Sequence, residues 1–171
     1  MADKIGAVTM KGNPITLTGN EVAVGQKAPD ATVSANDLSD VKISSFFGKK
    51  LIISAVPSLD TPTCDIETKR FNQEAAQLGA DVKILTVSMD LPFAQKRWCG
   101  AAGVTAVQTV SDYREASFGT NYGILIKGLK LLTRAIFVID SKGVVQYIQL
   151  VKEVTSEPDY AAVLEAVKKI S

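Results

Sequence analysis

Apolar and polar residues alternate through Ala7-Val8-Thr9-Met10 and Ile15-Thr16-Leu17-Thr18, around Lys11-Gly12-Asn13-Pro14. A period of two with turn residues at its centre predicts a β-hairpin. Residues 25–29 read as a connector, and residues 31–35 and 41–43 as short strands about a polar turn at 36–40. The apolar runs at 51–56 and 82–89 are too short for helices and read as buried strands. After the first of them, Pro57 ends the strand, Thr61 suits a helix N-cap and Pro62 the first helical position. Cys64, Thr68, Phe71, Ala75 and Leu78 then recur at helical spacing and define one face, which Gly79 terminates.

A second helix is predicted with Asp90 as its cap and Pro92 in its first turn, running to about Cys99-Gly100 and ending near Gly103. Residues 107–110 form a short strand, 114–118 a short helix, and the spaced glycines of 119–128 read as turns. Residues 135–139 and 144–151 flank a turn at 140–143, which makes them an antiparallel pair. Tyr160, Val163, Leu164, Val167 and Ile170 mark a C-terminal amphipathic helix. Strand–helix–strand–helix units followed by a hairpin and a helix indicate an α/β architecture, a mixed sheet covered by helices with an N-terminal β-hairpin. No linker, repeat or low-complexity stretch interrupts it, so one domain is expected over residues 1–171.

Composition narrows the function more by exclusion than by suggestion. A net charge of +1 without blocks of like charge gives no electrostatic case for nucleic acid or membrane binding. The first residues lack the basic-then-apolar pattern of a signal peptide, and two cysteines are too few for a disulfide scaffold. A cytoplasmic protein is expected, in which any disulfide is transient and catalytic. The count that decides most is that of histidine, which is zero. It removes Ser-His-Asp and Cys-His catalysis and zinc sites of the usual Cys/His type, and no metal or cofactor is expected.

An activated cysteine here must therefore rely on a helix terminus or a cationic side chain. Cys64 stands third in its predicted helix, in the turn whose amides lack partners, on the inward face and after a strand. A buried structural thiol is the plain alternative. The pattern Pro57, Thr61, Cys64 weighs against that alternative, because it resembles the peroxidatic signature of the peroxiredoxins. Pro57-Ser58, Asp60-Thr61 and Cys64, followed by Lys69-Arg70-Phe71-Asn72, resemble one branch of that family, the bacterial thiol peroxidases. Asp90-Leu91-Pro92-Phe93-Ala94-Gln95, Arg97-Trp98-Cys99-Gly100, the stretch from Arg134 to Asp140 and Glu157-Pro158-Asp159-Tyr160 extend the resemblance, in order, over nearly the whole chain.

The resemblance implies a thioredoxin-like fold and reduction of hydrogen peroxide and organic hydroperoxides in antioxidant defence. Cys64 would become a sulfenic acid, which Cys99 would resolve to an intramolecular disulfide, the atypical two-cysteine arrangement. Thioredoxin is the implied reductant and a homodimer the implied assembly. Arg134 is implied as the cation beside the Cys64 sulfur. The need for one also follows from physics, since a helix terminus contributes only about 1–2 kcal/mol toward ionising a thiol. Ionisation itself multiplies the rate of an ordinary thiol by at most about 30-fold at pH 7. Further rate requires donors to the breaking O–O bond, for which the Thr61 hydroxyl, the first-turn amides and Arg134 are candidates. Pro57 and Pro62 are expected to shape the loop, with Pro57, Thr61 and Arg134 meeting substrate. Glu67 is expected to orient the arginine, whereas Lys69 and Arg70 lie on the solvated helix face.

Cys64 and Cys99 are 35 residues apart on two predicted helices, so a bond between them requires local unwinding. A thioredoxin-type disulfide carrier would need a second cysteine close to Cys64, where Asp65-Ile66-Glu67 stands instead. A peroxide sensor or redox relay, and a non-catalytic thioredoxin-like interaction domain, are the remaining alternatives.

Overall fold

The computed structural model describes residues 2–170. The N-terminal alternation forms β1 (Ala2–Met10) and β2 (Asn13–Gly19), paired from Met10↔Asn13 to Ala2↔Gly19 with a bulge between Lys4 and Val8. Next come β3 (Thr32–Ser34), β4 (Asp40–Lys42) and a 3-10 turn at Ile43–Phe46. Then follow β5 (Lys50–Ala55), α1 (Pro62–Leu78), β6 (Val82–Ser88), α2 (Pro92–Ala102) and β7 (Val107–Ser111). The remainder is α3 (Ser117–Asn121), β8 (Leu125–Ile126), β9 (Ala135–Ile139), β10 (Val145–Leu150) and α4 (Tyr160–Lys168).

Seven strands form one mixed sheet in the order β10-β9-β5-β6-β7-β3-β4. β5, β6 and β7 run parallel, and β9 runs antiparallel to β5, pairing Leu51↔Ile139 through Ala55↔Ala135. Side chains alternate between the faces, as a strand requires. Ile52, Ile84, Ile136 and Val138 pack beneath Cys64, Phe71, Trp98, Val163 and Val167, so α1, α2 and α4 cover one face. Leu51, Ile53, Leu85, Val87 and Phe137 form the other core with Ile43, Phe118 and Tyr122. There Phe118 stacks on Tyr122 at 4.3 Å between centroids, and both meet the Phe137 ring edge-on.

Two expectations require correction. The short helix falls at Ser117–Asn121 rather than 114–118. The cause is Asp112, whose buried carboxylate accepts the amides of Phe118 at 2.9 Å and Gly119 at 2.8 Å and so fixes where the helix begins. The glycine-rich segment is not all turn, because β8 within it pairs with β2 as Leu17↔Ile126 and completes a three-stranded sheet, β1-β2-β8. Gly123 permits that close approach. Its φ is +67°, and a Cβ there would strike the backbone carbonyl of Asn20.

The small sheet is buttoned to the segment that follows β10. Thr9 N–H donates to the Lys152 carbonyl at 2.7 Å, and Val154 N–H to the Thr9 carbonyl at 2.8 Å. The Glu153 carboxylate accepts from the Thr9 hydroxyl and the Gly12 amide at 2.9 Å each, and from the Lys11 amide at 3.2 Å. The hairpin tip and residues 152–155 thus form one unit beside the N-terminus of α1.

Candidate active site

The loop between β5 and α1 is held by a residue that the sequence assigns elsewhere. Asp90 does not cap α2, whose N-cap position is Leu91 and has no side-chain cap. With Pro92 at the first position one orphan amide is already gone, and the Asp90 carboxylate turns to the loop instead. It accepts the Ser58 hydroxyl at 2.6 Å, the Leu59 amide at 2.8 Å and the Ser88 hydroxyl at 2.7 Å. Strand end, loop and second helix start are tied through one carboxylate.

Thr61 occupies the N-cap position of α1 with extended backbone, yet it makes no cap bond. Its hydroxyl donates to the Ser58 carbonyl at 2.8 Å. A hydroxyl has one proton, so the oxygen keeps only acceptor capacity toward the site. In this arrangement the Thr61 proton goes to Ser58, whereas the sequence offers it as a candidate donor to the peroxide. No side chain caps the first turn, and Asp65 is the one acidic residue in it.

Cys64 is the third helical residue, a free thiol that is wholly buried. Arg134 directly precedes β9, and its Nη2 donates to the Cys64 sulfur at 3.3 Å. Its other two nitrogens are also bonded: Nε donates to the Val154 carbonyl at 2.9 Å, and Nη1 pairs with Glu67 Oε2. Glu67 Oε1 in turn accepts the Ser54 hydroxyl at 2.8 Å from β5. Glu67 lies three residues after Cys64, so one helix face presents both to the same arginine. Arg134 is 2% exposed and Glu67 0%; an arginine at a strand edge is more often solvated. Burial pushes the Glu67 carboxyl above its ordinary value, against the pull of Arg134 and Ser54. Burial also opposes the Arg134 charge, but Glu67 and then Cys64 outweigh it and hold the guanidinium pKa above its usual range.

Arg134 opens onto a cavity of about 390 Å³. Pro57, Thr61, Pro62 and Thr63 form one side, and Met10, Lys11, Leu131, Val154 and Thr155 the other. The Thr63 hydroxyl donates to the Thr155 carbonyl at 3.0 Å and joins the two sides. The hairpin tip and residues 154–155 as walls were missed in the sequence, where nothing local marks them. The structure brings Pro57, Thr61, Cys64 and Arg134 together, with Glu67 as the arginine's partner.

It does not bring Cys99 to them. Cys99 is half-buried on α2, with its sulfur 3.5 Å from the Thr109 hydroxyl oxygen. It borders a separate hollow of about 320 Å³ with Asn36, Lys83 and Thr109. Lys69 pairs with Asp65 at 2.8 Å on the exposed face, and Arg70 pairs with Glu74 and lies over the Tyr160 ring at 4.8 Å. Neither replaces Arg134 at the sulfur. Among the described residues no helix is long and apolar enough to cross a membrane.

Comparison with known proteins agrees with this geometry. A family model described as Redoxin matches residues 23–164. The thiol peroxidase of Halalkalibacterium halodurans is 54% identical over 164 residues, covering 96% of this chain and 98% of its own. That of Bacillus subtilis is 51% identical over 163 residues, covering 95% and 97%. Among solved structures, a peroxiredoxin-like protein from Aquifex aeolicus superposes with a TM-score of 0.89 at 44% identity, covering 96% of this chain and 98% of that one. A thiol peroxidase from Chromobacterium violaceum, 19% identical, shares the fold at a TM-score of 0.84, covering 95% of each chain. The helix-covered mixed sheet is therefore the thioredoxin-like fold of the peroxiredoxins.

The loop clamp has a measurable consequence. Asp90→Ala strands the Ser58 hydroxyl, the Leu59 amide and the Ser88 hydroxyl together. Denaturant unfolding should show a loss of about 2–3 kcal/mol, with Asp90→Asn recovering part of it.

Proposed function

The chain belongs to the redoxin family, in its thiol peroxidase branch of peroxiredoxin-type enzymes, and on that premise we propose that Cys64 reduces hydroperoxides and that Cys99 resolves the product. The observation that carries the reading is the buried Arg134 guanidinium held 3.3 Å from the Cys64 sulfur. The Cys64 thiolate attacks the terminal peroxide oxygen. The O–O bond breaks, and water or an alcohol leaves once protonated, with sulfur oxidised to the sulfenic acid. Arg134 steadies the thiolate and donates to the peroxide oxygens as charge develops on them. The uncapped amides of the first turn add donors. The Thr61 oxygen accepts the peroxide O–H, which fixes which oxygen meets sulfur. Pro57 and Pro62 keep that end of the cavity free of competing amide donors.

Cys99 then attacks the Cys64 sulfenic acid, forming the disulfide and releasing water. Each thiol now has a different neighbour, Arg134 for Cys64 and Thr109 for Cys99. Part of α1 or α2 must therefore unwind first. A thiol reductant restores the pair, and thioredoxin is the one this reading names. Cytoplasmic location, a homodimer and a role in antioxidant defence complete it, on family grounds.

The test is free-thiol counting with mass analysis before and after one equivalent of hydroperoxide. Both thiols should disappear and the chain should remain monomer-sized with a Cys64–Cys99 bridge. Cys64→Ser should abolish peroxide reduction, whereas Cys99→Ser should complete one turnover and stop as sulfenic or over-oxidised cysteine. Two thiols surviving the peroxide would end the enzymatic reading, and a bridge between chains would end only the intramolecular one.

Arg134 can be tested separately once its buried partner is considered. Arg134→Met alone leaves Glu67 as an unpaired buried carboxyl, a loss of about 3–5 kcal/mol in stability, so it is best combined with Glu67→Gln. Single-turnover oxidation should slow by about 100-fold or more in that double variant. Arg134→Lys keeps the charge without the planar fork and should slow it by about tenfold. A double variant that folds and reacts at the wild-type rate would remove Arg134 from the mechanism.

A further inference from the structure

Asp65 follows Cys64 and Trp98 precedes Cys99, and these two neighbours are bonded to each other. The indole Nε1–H of Trp98 donates to Asp65 Oδ1 at 2.9 Å. Among the described residues it is the sole side-chain hydrogen bond between α1 and α2. The second carboxylate oxygen of Asp65 accepts Lys69 Nζ at 2.8 Å, so the acceptor is fixed from its own helix. The Trp98 ring is only 9% exposed and packs in the same core cluster as Cys64 and Phe71. An indole tip bonded to a charged oxygen while its body is buried is an anchored group, not a surface contact.

Neither residue is hydrogen-bonded to the sulfur or the arginine, and neither lines the 390 Å³ cavity. Their bond nevertheless spans the two segments that must move if residues 64 and 99 are to meet. We propose that the Trp98–Asp65 hydrogen bond ties α1 to α2 and that releasing it is part of the barrier to Cys64–Cys99 closure. The proposal rests on the resolving role given to Cys99 above. The step itself is a condensation: the Cys99 sulfur bonds to the Cys64 sulfur, the S–O bond breaks, and hydroxide leaves and is protonated to water. No further oxidant or reductant enters.

A slower closure leaves the sulfenic acid exposed longer to a second peroxide, so the same bond sets how readily the protein over-oxidises. Trp98→Phe removes the donor and keeps a buried ring. Asp65→Ala removes the acceptor and the Lys69 pair, whereas Asp65→Asn keeps an acceptor oxygen. The full chain is mixed rapidly with one equivalent of cumene hydroperoxide. A sulfenic-acid trap follows the first step, and loss of the second thiol by mass follows closure. The first step should stay within about threefold of wild type in all three variants. Closure should accelerate by about tenfold in Trp98→Phe and in Asp65→Ala, the size of a hydrogen bond to a charged acceptor, and by only about threefold in Asp65→Asn, whose neutral oxygen accepts about half as strongly. The over-oxidised fraction at tenfold excess peroxide should fall in the same two variants. Closure that is unchanged or slower in both Trp98→Phe and Asp65→Ala overturns the proposal. So does Asp65→Asn closing as fast as Asp65→Ala, which would assign the effect to the Lys69 pair. Wild-type protein that forms sulfenic acid but never a bridge instead overturns the resolving role of Cys99.

Discussion

The site depends on a buried ion pair that would be costly if any part of it were incomplete. Removing a guanidinium and a carboxylate from water costs several kcal/mol each, and mutual attraction offsets this only when the remaining donors and acceptors are also paired. Here they are. Glu67 binds Arg134 with one oxygen and the Ser54 hydroxyl with the other, and Arg134 directs Nε to the Val154 carbonyl. One Nη remains, and it meets Cys64. Glu67 weakens the positive field at the sulfur, since it nearly cancels the formal charge. In return it removes the conformational freedom of a long side chain, so the donor is already aimed when charge develops. Lys69 and Arg70, paired with Asp65 and Glu74 on the outer face of α1, would give neither the desolvated field nor the fixed direction.

That pair also explains why the site draws on segments far apart in the chain. Ser54 comes from β5, Cys64 and Glu67 from α1, Arg134 from the start of β9, and the Val154 carbonyl from the segment after β10. Residues 152–155 are themselves fixed by the N-terminal hairpin through Thr9 and the Glu153 carboxylate. The hairpin is thus more than an appendage on the main sheet. It sets the backbone that orients the arginine, and its tip supplies Met10 and Lys11 to the cavity wall.

Local chemistry was legible in the sequence, and long-range pairing was not. The alternation at 7–18, the apolar runs and the Pro62 start with its helical period gave the elements, because each depends on nearby residues. Cys64 and Glu67 could be placed on one face by spacing alone, whereas Arg134 was singled out by the family resemblance, since a charge at the head of a strand is more often solvated. Asp90 was misassigned for a physical reason. An acidic residue before Pro92 has the form of a helix cap, but the loop across the site held three donors needing that carboxylate more than the helix did. β8 was hidden because two residues carry no periodicity, and their pairing with β2 exists only once the chain has folded back. Trp98 and Asp65 could not be joined in advance, since 33 residues separate them and neither is unusual where it stands.

The first turn of α1 must satisfy two opposite demands under the proposed mechanism, ordered for peroxide attack and undone for closure. Thr61 occupies the cap position without capping, so this turn lacks the roughly 1 kcal/mol that a side-chain cap contributes. The missing cap leaves amides for the peroxide and makes the same turn easier to unwind. Its order comes instead from tertiary contacts: Thr63 to the Thr155 carbonyl, Asp65 to Trp98, and Cys64 to Arg134. The last of these responds to the reaction. A thiolate accepts from the guanidinium as one charge to another, whereas a neutral sulfenic acid accepts as a dipole, and a charge–dipole contact is the weaker of the two. Oxidation therefore weakens a contact that holds the turn in place, and the chemistry that creates the need to unwind also lowers its cost.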